Sequence, residues 1–76
     1  MPYINCRVME GVLSEDQKAE IAEQITETFA TVVGEPVRGL TWVVIDDMTS
    51  GQFTIGGRPI TTEGVNELLA GAPAHA

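Results

Sequence analysis

A capped amphipathic stretch between two strand-like runs constrains this chain more than any other feature. Ser14-Glu15-Asp16-Gln17 is a capping box, with a serine at the helix start, a glutamine three residues on, and acids in the first turn. Ile21, Ile25, Phe29 and Val32 then recur at helical spacing, with Ala22 and Ala30 alongside, and define one apolar face. Glu20, Glu23 and Glu27 point away and read as solvated surface. Gly34 is placed to end the helix, and Pro36 confirms the stop.

The flanking runs read as strands. Side chains alternate over residues 2–9, so Pro2, Ile4, Cys6 and Val8 share one face and Tyr3, Asn5, Arg7 and Met9 the other. The first face is apolar enough to lie on a helix. The second is mixed and suits a subunit boundary or a site. Leu40-Thr41-Trp42-Val43-Val44-Ile45-Asp46 is rich in β-branched and aromatic residues. A helix of this length is a crossover, so the two strands should run parallel with a right-handed connection. The second strand is apolar on both faces, with Leu40, Trp42 and Val44 on one and Val43 and Ile45 on the other. One helix covers one face, and the uncovered face predicts a partner subunit.

Beyond the second strand, Asp47 to Gly51 reads as a loop, and Gln52 to Ile55 as a short extended segment closed by Gly56-Gly57. Thr61-Thr62-Glu63 caps a short helix through Leu69. Gly71 and Pro73 end it, and residues 71–76 are expected to fray. The expectation is one α+β domain over residues 1–76, built on a β-α-β unit.

Composition narrows the function. At 76 residues a single core is thin, and small domains without cross-links often gain burial by oligomerising. Cys6 is the only cysteine and His75 the only histidine, so the sequence predicts neither an internal disulfide nor a metal site, and no cofactor is expected. A formal charge of -7, from 11 acidic and 4 basic residues, argues against nucleic acid and anionic membranes as partners. There is no signal-like or membrane-spanning apolar run, and the expected location is the cytoplasm. Cys6 reads as a buried, inert thiol and Lys18 as solvated.

The Met1-Pro2 start carries a chemical possibility. Proline is small enough to permit removal of the initiator methionine, which would turn Pro2 into a free secondary amine at the head of a strand. An ordinary α-amino group titrates near pH ~8, and burial or a nearby cation disfavours its protonated form. A neutral amine near the working pH is a good general base. The plainer reading is that proline is tolerated at the first position of a strand, where no ladder donor is needed.

Four features stand in one order: the Met1-Pro2 start, the β-α-β unit, Met48 with Gly51-Gln52-Phe53, and Ile55-Gly56-Gly57. Over about residues 2–58 the chain resembles the tautomerase superfamily, specifically the short subunits of 4-oxalocrotonate tautomerase and its relatives. The resemblance implies a β-α-β subunit assembled as a homo-oligomer, commonly a hexameric trimer of dimers, with sites at subunit boundaries. It implies Pro2 as the base that moves a proton between the oxygen and carbon ends of a small enol or dienol. It also implies arginines that bind substrate carboxylate, and an aromatic residue, matched by Phe53, that helps lower the proline's pKa.

The sequence departs from that pattern at both arginine positions. The connection after the first strand reads Gly11-Val12-Leu13-Ser14, and the residue aligned with the second arginine is about Trp42. Arg38 and Arg58 are the candidate replacements, since a guanidinium forks onto a carboxylate. The alternative is that both are surface or interface ion pairs. Trp42 offers an indole N–H to a substrate oxygen, or else packs between subunits.

The first functional reading is therefore an isomerase, a tautomerase acting on a small enol or unsaturated 2-oxo acid. Hydratase or dehalogenase chemistry on an unsaturated acid with the same base is one alternative. A non-enzymatic oligomeric binding module is another. A second type of subunit supplying the missing arginines is also compatible with the sequence.

Overall fold

The computed structural model describes residues 1–71. Its elements run β1 (Tyr3–Met9), α1 (Glu15–Val33), a 3-10 helix (Glu35–Leu40), β2 (Trp42–Met48), β3 (Thr54–Ile55), β4 (Arg58–Pro59) and α2 (Thr62–Leu69). The Trp42 amide donates to the Pro2 carbonyl at 2.8 Å, and the Glu10 amide to the Met48 carbonyl at 2.9 Å. Start meets start and end meets end, so β1 and β2 form the expected parallel pair around α1.

α1 begins where the capping box predicts. The Gln17 amide donates to Ser14 Oγ at 3.1 Å, and the Ser14 amide donates to Gln17 Oε1 at 2.9 Å. It ends at Gly34, whose φ of 133° lies outside the range comfortable for other residues and whose amide closes on the Ala30 carbonyl. Ile21, Ala22, Ile25, Thr26 and Phe29 are half-buried and Ala30 is buried.

Val32 departs from the expected stripe. It is 79% exposed and Val33 is 65% exposed. Both sit at the right angle on the helix, but the last turn runs past anything the described residues lay over it. Lys18 departs in the other direction. Its side chain is only 17% exposed and its Nζ lies 3.4 Å from Glu15 Oε2. It precedes Ile21 and Ala22 by three and four residues, so its aliphatic stem lies on the inner stripe.

The second strand also starts later than its composition suggests. Leu40 closes the 3-10 helix, whose first turn contains Pro36. The Thr41 hydroxyl donates back to the Val37 carbonyl at 2.8 Å and holds that turn. β2 therefore begins at Trp42 and takes in Asp46 and Asp47, which the sequence placed at a strand end or turn. Asp46 is held in the strand by Asn5 of β1, whose Nδ2 donates to its carboxylate at 2.8 Å.

Packing groups residues 1–7 with 14–46, and residues 8–13 with 47–71. In the first group, α1 packs on the 3-10 helix, where Val37 is buried. The second is tied together at Glu10. Its carboxylate accepts the Ser50 amide at 2.8 Å, its carbonyl accepts the Thr62 hydroxyl at 2.7 Å, and Ser50 Oγ accepts the Thr62 amide at 2.9 Å. Gly11 allows this closeness: its φ is 73°, and a Cβ there would come within 3.0 Å of the Thr62 methyl.

The extended segment proves to be half of a hairpin. β3 and β4 pair antiparallel, Thr54 with Pro59 and Ile55 with Arg58. Gly56 and Gly57 turn it with φ of 58° and 84°, the pattern of a type I′ turn, which needs two left-handed residues. The sequence did not reveal β4 because Pro59 argues against a strand, yet a two-residue edge strand tolerates it. Thr61 caps α2 as expected, accepting the Gly64 amide at 3.1 Å. The expectation for residues 72–76, His75 among them, lies outside the described residues.

Among the described residues only Met9, Ala30 and Val37 are buried hydrophobics, and no side chain is fully enclosed. Tyr3, Leu40, Trp42, Ile55 and Leu69 remain more than half exposed. None of the described helices is long and apolar enough to cross a membrane.

Candidate active site

Pro2 sits just before β1 and is half-buried. Its carbonyl is held by the Trp42 amide, which fixes the residue at the head of the parallel pair. Met1, outside it, is 82% exposed.

The same hydrogen bond puts the first residue of β2 beside the first of β1. The Tyr3 and Trp42 rings meet with centroids 6.5 Å apart and planes tilted by 43°. They are 62% and 64% exposed, so the pair forms an open aromatic surface. The Asn5–Asp46 bond shows which residues share that face. Tyr3, Asn5 and Arg7 of β1 stand beside Trp42, Val44 and Asp46 of β2. Tyr3 was not a candidate from sequence. Its alternation with Pro2 put it on the mixed face, and only the strand register reveals its aromatic partner.

Arg38 lies on the 3-10 helix and is engaged. Its guanidinium donates to the carboxylates of Glu35 and Glu27, with a further contact from Nη2 to Glu35 Oε1 at 3.3 Å. Hydrogen bonding to Arg38 holds the Glu35 carboxyl below its ordinary value, and the two carboxylates raise the already high value of Arg38. The Glu35 contact is legible from an i, i+3 spacing on one turn. Glu27 is eleven residues away, and no sequence pattern joins it to Arg38.

Arg38 also lines an open groove of about 350 Å³ with Ala22, Glu23 and Thr26 of α1, Thr41 just before β2 and Val43 within it. This groove places α1 alongside the start of β2. Glu27 and Glu35 hold the Arg38 guanidinium and Glu23 lines the same groove, so the local charge is negative.

Phe53 and Arg58 belong to the hairpin group. Phe53 is half-buried, and its carbonyl accepts the Ile60 amide at 2.9 Å. Arg58 is the exposed first residue of β4. Among the described residues, Arg7 and Arg58 form no ion pair. Thus Pro2, Trp42 and Arg38 fall in one packing group and Phe53 and Arg58 in the other. Cys6 is half-buried and free, and among the described residues no three histidine, cysteine or acidic side chains cluster.

The head of the β1–β2 pair thus combines a fixed proline with an aromatic surface, and comparison with known proteins gives this arrangement a context. The tautomerase enzyme family model matches residues 2–63, starting on Pro2. The chain is similar to a probable tautomerase of Bacillus cereus, with 30% identity over 61 residues that cover 80% of this chain and 97% of that protein. It is also similar to a probable tautomerase of Lactococcus lactis, with 37% identity over 57 residues covering 75% and 90%. Among solved structures it resembles apo unfused 4-OT, with a TM-score of 0.69, 30% identity and coverage of 78% and 93%. DmpI from Helicobacter pylori shares the fold, with a TM-score of 0.68 at 23% identity and coverage of 78% and 95%. A match that starts on the fixed proline and runs through both β-α-β strands and the hairpin, with relatives covered almost end to end, makes this chain a member of the tautomerase family.

Proposed function

We propose that the protein is an isomerase that interconverts the enol and keto forms of a small unsaturated acid, with Pro2 as general acid and base once Met1 is removed. The observation that carries this reading is the clamp on Pro2. Its carbonyl is committed to the Trp42 amide at 2.8 Å, which holds the ring of a half-buried residue in place at the start of β1. A base held in position needs little reorganisation at the moment of transfer.

In the ketonising direction the neutral proline nitrogen takes the proton of the enol hydroxyl. The oxygen electrons form the carbonyl bond, the carbon–carbon double bond shifts, and the far carbon takes a proton back from the prolinium. Atoms and charge balance without a cofactor or a second reactant.

The partial negative charge that builds on the oxygen calls for a donor or a cation. Arg58 supports that role through its freedom from ion pairs among the described residues, and Arg38 is the second candidate. Arg38 would have to exchange Glu27 or Glu35 for substrate. Phe53 would supply an apolar wall that disfavours the protonated amine. Homo-oligomerisation is part of the proposal. A chain that buries so few hydrophobic side chains gains both its core and its site walls from further copies.

The test is ketonisation of phenylenolpyruvate by the wild type and by Pro2→Ala, with the intact mass of both proteins measured. Wild-type protein lacking Met1 should accelerate the reaction, and Pro2→Ala should lose about a hundredfold in kcat/KM. Equal rates would remove Pro2 from the mechanism. The satisfied state of Arg38 favours one second reading, a non-catalytic oligomeric binding module. Absence of acceleration by Met1-free protein would support it.

A further inference from the structure

The aromatic surface beside Pro2 bears on substrate class, and this inference rests on the tautomerase reading above. Tyr3 and Trp42 are large apolar groups left mostly open at the head of the sheet. Among the described residues, the Tyr3 hydroxyl and the Trp42 indole N–H find no hydrogen-bond partner. Exposed rings with unused donors are suited to a planar ligand that also carries an oxygen.

Charge on the same face selects further. Arg7 is four residues along β1 from Tyr3, about 13 Å at the strand rise. Closer along the face stands Asn5, with the Asp46 carboxylate bonded to it at 2.8 Å. A ligand extending over this face with a second carboxylate would meet the Asp46 carboxylate, drawn toward Asn5, alongside Arg7. Arg38, which lines the groove between α1 and Val43, is already matched by two glutamates. One end of the ligand can be anionic, whereas its far end should be neutral and flat.

We propose that Tyr3 and Trp42 form a stacking platform for the apolar, planar end of the substrate, so that the protein prefers an aryl-bearing monocarboxylate enol to an aliphatic dicarboxylate dienol. Neither ring takes part in the proton transfer. Both act by binding, so their loss should raise KM more than it lowers kcat.

Trp42 is the only tryptophan, so its fluorescence reports this surface directly. Phenylpyruvate should quench it saturably, whereas pyruvate at the same concentration should not. Quenching should persist in Pro2→Ala, which separates binding at the platform from the base chemistry. Phenylenolpyruvate should be preferred over 2-hydroxyhexa-2,4-dienedioate by at least about tenfold in kcat/KM, and Trp42→Ala or Tyr3→Ala should erase most of that preference. Trp42→Phe keeps a ring and should retain it, which guards against misfolding of the smaller variant. Three results would overturn the proposal: a preference for the dienedioate, equal losses on both substrates in the alanine variants, or tryptophan emission that phenylpyruvate leaves unchanged. The last result would mean that a second copy covers the rings. Loss of activity in Pro2→Ala with quenching intact supports both readings, while unchanged activity there removes the base and leaves the platform standing.

Discussion

The amide of Trp42 donates to the carbonyl of Pro2 at 2.8 Å, and this one bond joins the head of β2 to the head of β1. The proposed base is therefore part of the sheet ladder rather than a loose terminus. Its nitrogen must still be free. Protein carrying a short N-terminal extension has a tertiary amide at Pro2, with no basicity. Such a form should fold normally and lose at least about a hundredfold in kcat/KM, and proteolytic removal of the extension up to Pro2 should restore the rate. An extended form with full activity would contradict the base assignment.

The two candidate arginines differ in what already holds them. Arg38 has Glu27 and Glu35, whereas Arg58 has no ion pair among the described residues. Arg58→Ala should lower kcat/KM about ten- to a hundredfold, in line with loss of a charge-assisted hydrogen bond. Arg38→Ala should cost less. Unchanged values in both variants would mean that neither arginine meets the substrate.

The Arg38–Glu35 contact sets a sign for acid behaviour. Hydrogen bonding to Arg38 lowers the Glu35 carboxyl below its value in the unfolded chain. The contact therefore contributes to stability above the unfolded value and loses that contribution as pH falls through the folded one. Both groups are at the surface, so the effect is small and screened by salt. Glu35→Gln should melt slightly below wild type at neutral pH and low salt. The gap should close in acid, where Glu35 of the wild type is itself protonated, and shrink at high salt.

Ser14 caps α1 through a reciprocal pair of hydrogen bonds with Gln17. Ser14→Ala leaves the Gln17 amide without its acceptor and should lower unfolding free energy by about 1 kcal/mol, read by chemical denaturation at fixed protein concentration. The activity of the folded enzyme should not change, because the cap lies at the far end of the crossover from Pro2.

Away from the Tyr3–Trp42 pair, exposed Val32, Val33, Leu40 and Ile55 leave apolar surface among the described residues of a single chain. Light scattering should give a mass several times that of one chain, and the thermal midpoint should rise with protein concentration. A monomer with a concentration-independent midpoint would rule out a site built from several copies.

Local rules carried the backbone design. The capping box, the terminating Gly34, the β-branched run and the Gly56-Gly57 turn each act within a few residues, so the order and direction of β1, α1 and β2 follow from sequence alone, as does the start of α2. Where short-range rules competed, the sequence misled. Leu40 has strand composition, but the turn begun by Pro36 claims it for the 3-10 helix, and Pro59 hid the return strand of the hairpin. The site depended on contacts at long separation. Tyr3 meets Trp42, Asn5 holds Asp46 and Glu27 satisfies Arg38 only because a parallel register and a helix crossing bring them together, and no periodicity along the chain encodes such distances. Hydrophobic pattern and backbone preference decide which segments form and which faces turn inward; the partners that individual side chains find across those faces were decided by the tertiary structure, because charge and ring contacts act through space.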